Sequence, residues 1–333
     1  MRLSADIIRL SAVAAASLLM TACVHEWPHG EEPAPPVPER HRVTLHLAFD
    51  RSMPEHTTVT YSSRSAPQYL VRHSVKIYNA DSRDGGSRTP AGSIVVTRAA
   101  GDDMDTDIRL DLDPGSYRFL VWTDYVTDED ANDLFYITSD FSEITLPEGP
   151  HYGSREERDA YRGDLTATVT GDMITEGAPA LTVPMVRPMA RFEFIATDFG
   201  SFASTAMNRA VVSSFRVRMR YNGFMPSAFN MFTDKPSDAR RGVAFDSAMT
   251  PRGNGEASLG FDYVFVNGHE SSVPVAVEIY DAGGDRIAAS RTVDVPVVRG
   301  RVTFVKGAFL SALADGGVGV DPDFSGDFDI IIQ

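Results

Sequence analysis

The acidic run "DPDFSGDFD" sets Asp321, Asp323, Ser325, Gly326, Asp327 and Asp329 at spacings close to those of a calcium loop, in which oxygen ligands recur along the chain. The twelfth position, where a bidentate Glu completes such a site, is Ile332. The four Asp residues are therefore weak calcium candidates, and solvated acidic turns are the plain alternative. A second cluster in "DYVTDEDAND", formed by Asp124, Asp128, Asp130 and Asp133, has no fixed ligand spacing. His25 and His29 lie four apart, but Pro28 between them forbids the helix that would bring them together. The nucleophile elbow G-x-S-x-G, the P-loop, H-E-x-x-H and G-x-G-x-x-G are all missing. "DFG" at 198–200 stands without the loops that give it meaning in a kinase. The expectation is a protein with no catalytic residues, no cofactor and no firm metal site, hence not an enzyme.

Cys23 is the only cysteine, so no intramolecular disulfide forms. Ahead of it, Arg2 and Arg9 precede a short apolar run from Leu10 to Met20. That run is short for a bilayer span and has the charge order of a secretory signal. "LLMTAC" resembles the lipobox of bacterial lipoproteins, departing from it at Met20, where Leu is more usual. The resemblance implies removal of residues 1–22 and lipidation of the Cys23 thiol, leaving 311 of the 333 residues. An ordinary signal peptide with an incidental cysteine is the alternative. Acyl chains contribute about 0.8 kcal/mol per buried methylene, and about two of them hold a protein on a membrane stably. Residues 23–40 carry five prolines and no hydrophobic period, and read as a semi-extended tether.

The chain has 31 basic and 46 acidic side chains, for a formal net charge of −15. Such a surface repels phosphate backbones, which excludes nucleic acid as an expected partner.

Period-two alternation dominates the remainder. Val43, Leu45, Leu47 and Phe49 share one face; Phe215, Val217, Met219 and Tyr221 alternate with Arg216, Arg218 and Arg220. Ala190, Phe192 and Phe194 oppose Arg191 and Glu193, and similar patterns run through Leu259, Phe261, Tyr263 and Phe265, then Val273 to Ile279, then Val293 to Val297. Each strand is expected to bury one face and wet the other. Helical signals are sparse: Ser154 and Glu157 form a capping-box pattern in "SREERDAY", and "KGAFLSALAD" suggests one more turn. "LDLDPGSYRFLVWTDY" reads as a hairpin about Pro114 and Gly115, with Trp122 as a packing anchor on an apolar second strand. "VKIYNA" at 75–80 and "VEIYDA" at 277–282 form an internal echo. The fold class expected is all-β, two tandem antiparallel β-sandwiches spanning 41–187 and 188–333, with Pro184 and Pro188 interrupting strand pairing at the junction.

The lipobox, the Pro-rich tether, "LDLDPGSYRFLVWTDYV", "DFSEITL", "RDAYRG", "RPMARFEF" and the ending "VPVVRGRVTFVKGAFL…VGVDPDFSGDFDIII" together resemble the fimbrillin-type surface lipoproteins of Gram-negative anaerobes, nearest to their anchor and accessory subunits. The resemblance implies two transthyretin-like β-sandwiches, an outer-membrane lipid anchor and a role in fimbria assembly and adhesion. It implies as partners other fimbrial subunits, joined by strand complementation, and a host or bacterial surface receptor. Stalk and tip precursors of that family are trimmed after an Arg, and Arg40, Arg42, Arg51 and Arg64 are the corresponding candidates here. The terminal "FDIIIQ" reads either as a donor strand or as the last core strand. A solitary glycan-binding surface lipoprotein is the competing function, with Tyr61, Tyr69 or Tyr152 in loop-like segments available to stack on sugars.

Overall fold

The computed structural model describes residues 42–53, 69–80, 89–100, 105–174, 178–205, 215–310 and 329–333. The first half of the chain forms β1 (Arg42–Phe49), β2 (Leu70–Asn79), β3 (Gly92–Ala99), β4 (Thr106–Asp111), β5 (Gly115–Val126), β6 (Ile144–Thr145), β7 (Tyr161–Val169) and β8 (Leu181–Val186). The second half forms β9 (Met189–Ala196), β10 (Arg216–Tyr221), β11 (Phe224–Asn230), β12 (Lys235–Arg241), β13 (Ala244–Ala248), β14 (Thr250–Gly253), β15 (Glu256–Phe265), β16 (Glu270–Tyr280), β17 (Arg286–Ala289), β18 (Val293–Val298), β19 (Val302–Gly307) and β20 (Asp329–Ile332). Among the described residues helix is confined to two 3₁₀ turns, Glu156–Arg158 and Gly171–Ile174, and one short α-helix, Phe199–Thr205. The protein is all-β, as the alternation predicts.

In the first half one seven-stranded sheet runs β3-β2-β5-β7-β8-β1-β4. It folds over on itself, because Val43, Leu45 and Leu47 of β1 and Ile108 and Leu110 of β4 share a core with Val75 and Ile77 of β2 and Phe119 and Val121 of β5. In the second half, β14-β15-β9-β19-β20 faces β13-β10-β16-β17, with β18 also paired to β16. Ala190, Phe192 and Phe194 meet Val217, Met219, Tyr221, Val275 and Val277 between these sheets. A third, small sheet, β12-β11-β6, carries β6 out of the first half into the second.

The two halves repeat one pairing scheme. β1 pairs antiparallel with β4 and parallel with β8; β9 pairs antiparallel with β15 and parallel with β19. β2 lies between β3 and β5, and β5 pairs on to β7, as β10 lies between β13 and β16, and β16 pairs on to β18. The scheme makes β2 the counterpart of β10 and β5 that of β16. The echo "VKIYNA"/"VEIYDA" falls on β2 and β16, so the duplicated topology exists while that six-residue match joins strands that are not equivalent.

Several local expectations are corrected. β4 and β5 form no hairpin; β4 is an edge strand on β1, and Asp113–Pro114 carry the chain across the core to β5 between β2 and β7. Asp111 and Asp113 are exposed there. The capping box is not formed: Ser154 lies in the left-handed region (φ 53°), and the 3₁₀ turn has no side-chain cap. Pro184 does not interrupt β8, since it pairs with Ala48 of β1 beyond the point where the β7–β8 ladder ends at Met185. β9 has no wet face. It is central in its sheet, and Arg191 and Glu193 are 2% and 0% exposed, with the Arg191 guanidinium 4.1 Å above the Phe261 ring.

Candidate functional site

The phase of β15 determines what lies at the seam between the halves. Ser258 pairs with Ile195 but Gly260 pairs with Phe194, leaving Leu259 as an extra residue in a bulge. Gly260 has φ 151°, and a Cβ there would stand 3.0 Å from Ser247, so glycine is the residue that fits. Beyond the bulge the alternation inverts. Phe261 and Tyr263 join Glu193 and Arg191 on the outer face, while Asp262, opposite Phe192, points into the core. Leu259 and Phe261 therefore do not share a face, contrary to the simple alternating pattern.

A fully buried carboxylate must be paired. Asp262 accepts from Arg158 Nη1 and the Tyr263 N–H at Oδ1, and from His151 Nε2 (2.6 Å) and the Tyr221 hydroxyl (2.7 Å) at Oδ2. Burial pushes its pKa up, but Arg158 and then His151 more than offset this, so Asp262 lies below the ordinary Asp value. Burial and the adjacent Asp262 charge hold the Tyr221 hydroxyl well above the ordinary Tyr range. Arg158 and His151 come from the segment between β6 and β7, so this cluster ties the first half to strands β10 and β15 of the second.

The same segment builds the rim of a cleft of about 490 Å³. Its floor and walls include Leu134, Phe135, Met225 and Val243; its polar residues are His151, Arg158, Arg240, Arg241 and Glu148, with Tyr152 at the mouth. Gly153 sits so close to Phe245 that a Cβ would stand 2.2 Å from that ring. Ser154 donates or accepts at Ser247 Oγ (2.8 Å), and its N–H donates to the Phe261 carbonyl (2.8 Å). Arg240 donates to the carbonyls of Leu146 (2.6 Å) and Pro147 (2.7 Å).

Trp122 is fully buried on the outward face of β5, and its neighbours are Tyr136 (5.3 Å), Phe265 (6.4 Å) and Phe229 (6.5 Å). Beside it, Asp124 is gripped bidentately by the buried Arg72 (2.8 and 2.6 Å), which also donates to Asp133 (2.7 Å). Asp124 and Asp133 of "DYVTDEDAND" thus serve Arg72, and Asp128 accepts from Asn132. Among the described residues no group of three or more His, Cys, Asp or Glu is disposed to hold a metal.

Asp329 opens β20 and faces Lys306 of β19 across the ladder. Asp321, Asp323 and Asp327 lie outside the described residues, as do Cys23, His25, His29, Arg40, Tyr61 and Arg64. Arg42 is exposed at the start of β1; Arg51, two residues past its end, is exposed and 3.4 Å from Asp105. Tyr69 is half-buried against Phe135, whereas Tyr152 is 57% exposed. Among the described residues β20 pairs only with β19, and its Ile330, Ile331 and Ile332 are 44%, 39% and 44% exposed.

Sequence reasoning passed over His151, Arg158, Asp262 and the cleft arginines. The legible signal was Gly260 in the strand "SLGFDYVF", since an interior strand glycine marks a bulge. No comparable signal pointed to Arg240 and Arg241, which come to the cleft through the β11–β12 pairing.

The fold and seam define a chain of two duplicated β-sandwich halves joined by a buried ionic and aromatic interface. The model for a family of unknown function (DUF6562) matches residues 37–333, and the chain belongs to that family. No curated protein matches the sequence. Among solved structures it is similar to a Bacteroides ovatus protein described provisionally as an adhesin, at 12% identity over 80% of this chain and 90% of that one, with a TM-score of 0.45. It is also similar to the fimbrial anchor protein Mfa2 from Porphyromonas gingivalis, at 10% identity over 88% and 97% of the two chains (TM-score 0.42). A fimbrial assembly protein from Parabacteroides distasonis is similar at 12% identity over 88% and 98% (TM-score 0.36).

Proposed function

We propose that this chain is a non-catalytic cell-surface lipoprotein, an anchor or accessory subunit of a fimbria, joined to neighbouring subunits by strand complementation. The observation that carries this reading is β20. Edge strands with exposed apolar side chains are ordinarily blunted by charge, proline or a covering element, because their free backbone pairs with other chains. Here three consecutive isoleucines are exposed on both faces of an edge strand, and among the described residues no strand pairs with its outer side. Such a strand suits completion of a partner's sheet, or reception of a partner's strand along its own edge.

The processing candidates have different structural consequences. A cut after Arg40 or Arg42 spares most or all of β1, whereas a cut after Arg51 or Arg64 detaches the strand that lies between β8 and β4. Loss of Val43, Leu45, Leu47 and Phe49 would leave an apolar groove flanked by two unpaired edges, a receptor for a partner's strand. In this reading Cys23 carries the lipid that holds the chain at the outer membrane.

Appendages sheared from native cells test the proposal. Retention in the outer membrane with lipidated Cys23, cross-linked to fimbrial subunits, is the result expected of an anchor. A sheared, high-mass location with an N-terminus after Arg40 to Arg64 would instead assign a stalk or tip role. Recovery with no fimbrial partner in either fraction overturns the fimbrial reading.

A further inference from the structure

We infer that the cleft at the seam is a binding site for an acidic sugar residue of a glycan, with Tyr152 as the stacking platform and Arg241 as the donor to the sugar carboxylate. This inference stands apart from the fimbrial reading and does not depend on it.

Three observations converge. The first is a preorganised aromatic. His151 is fixed to Asp262, Gly153 is pressed against Phe245, and Ser154 is fixed to Ser247 and Phe261, yet Tyr152 between them is 57% exposed. The loop thus spends its contacts on rigidity and leaves one flat ring facing outward, which lowers the ordering cost of a ligand that stacks on it.

The second is charge. On a chain of net charge −15, the cleft gathers Arg158, Arg240 and Arg241 against a single acid, Glu148. Arg158 is engaged by Asp262, and Arg240 by two carbonyls. Arg241 is exposed, and its guanidinium lies 4.9 Å above the ring of Phe224, itself 60% exposed and its partner across the β11–β12 ladder. Stacking on Phe224 orients the guanidinium plane while leaving its edge donors for a carboxylate, which the forked geometry matches bidentately.

The third is what the backbone offers. The Leu146 and Pro147 carbonyls accept from Arg240, and the Leu146 N–H donates to the Ser227 carbonyl (2.9 Å). The backbone groups of Leu146 and Pro147 are therefore already engaged, and at these two residues recognition falls to side chains. A volume of about 490 Å³ lies within the range of roughly 300–1,000 Å³ typical of small-ligand sites. A ring with one carboxylate fits the exposed Tyr152 ring, the forked donor of Arg241 and the volume of the cleft.

Isothermal titration of the full chain with trigalacturonate, galactotriose and triglutamate tests the inference. Trigalacturonate is expected to bind saturably, about tenfold or more tighter than galactotriose. Arg241→Gln should reduce trigalacturonate to the galactotriose level, and Tyr152→Ala should weaken both sugars; both positions are exposed, so melting curves should match the unmodified protein. Arg218→Gln, which removes a half-buried cation on β10 that pairs with Asp246 (2.8 Å) away from the cleft, should leave sugar binding unchanged. Equal binding of the two sugars, tighter binding of triglutamate, no saturable binding of trigalacturonate, or equal effects of Arg241→Gln and Arg218→Gln would each overturn it.

Discussion

The ring of Trp122 meets that of Tyr136 edge-on, 5.3 Å apart at 71°, and the Tyr136 hydroxyl donates to the carbonyl of Arg158. Trp122 belongs to a strand of the first half, yet its packing partners Phe229 and Phe265 belong to the second. One aromatic thus links the outer face of β5 to the segment that carries the Asp262 cluster. Trp122→Ala should cost about 3–5 kcal/mol, the usual penalty for emptying a buried aromatic site. Urea unfolding of the wild type should be a single transition, and the variant should separate into two as the seam fails before the sandwiches. A single, barely shifted transition would show that the halves are stable without this contact.

The Asp262 cluster makes a sharper demand. Asp262→Asn would leave Arg158, 3% exposed, without its counter-charge. Removing one partner of a buried pair typically costs about 3–5 kcal/mol, mostly from stranding the other charge. Replacing both together, as Asp262→Asn with Arg158→Met, should recover part of that loss in a double-mutant cycle. Strict additivity of the two substitutions would disprove the coupling.

How much of this was readable in the sequence depends on what each residue reports. Valines and phenylalanines at period two announce strands because burial acts on each side chain locally, and β1, β10, β16 and β18 lie as the pattern indicates. Pairing is a non-local choice. "DPGS" has every residue of a turn, yet β4 joins β1 and β5 joins β2, since the turn residues suit an arch across the core as well as a hairpin. Asp262 looked outward until the extra residue at Leu259 inverted the phase of β15. Arg191 and Glu193 looked wet for the same reason that any alternation does: it reports one apolar face and is silent about what covers the other.

His73 provides a pH dependence of known sign. It is 1% exposed on β2, bonded to Thr123 Oγ1 (3.0 Å), and burial, reinforced by the charge of Arg98, lowers its pKa to about 4. The neutral ring is therefore favoured in the folded state. The associated stability is present above the unfolded value of about 6.5 and is lost as pH falls toward 4, amounting to roughly 3 kcal/mol. Asp124, pushed up to about 6 by burial that Arg72 only partly offsets, contributes the opposite slope over the same window. That slope is common to wild type and His73→Leu, so their difference isolates the histidine. Urea midpoints from pH 7 to pH 4.5 should show the wild-type advantage shrinking; a constant gap would exclude His73 as the titrating group.

The isoleucines of β20 separate assembly from folding. Ile330 and Ile332 are both 44% exposed and lie on a strand that, among the described residues, pairs only with β19, so Ile330→Asp with Ile332→Asp changes side chains nearly half open to solvent. Surface changes of this kind usually alter stability by less than about 1 kcal/mol. The apolar edge, by contrast, would become charged on the side chains a partner must cover, which is how natural edge strands are kept from pairing. The double variant should therefore melt within a few degrees of the wild type yet fail to cross-link to fimbrial subunits on native cells. Unchanged cross-linking would remove β20 from the interface and shift the search for a joining surface to β1 and its neighbours. A collapse of the melting transition would place β20 among the elements that hold the second sandwich together, making it a core strand rather than a connector.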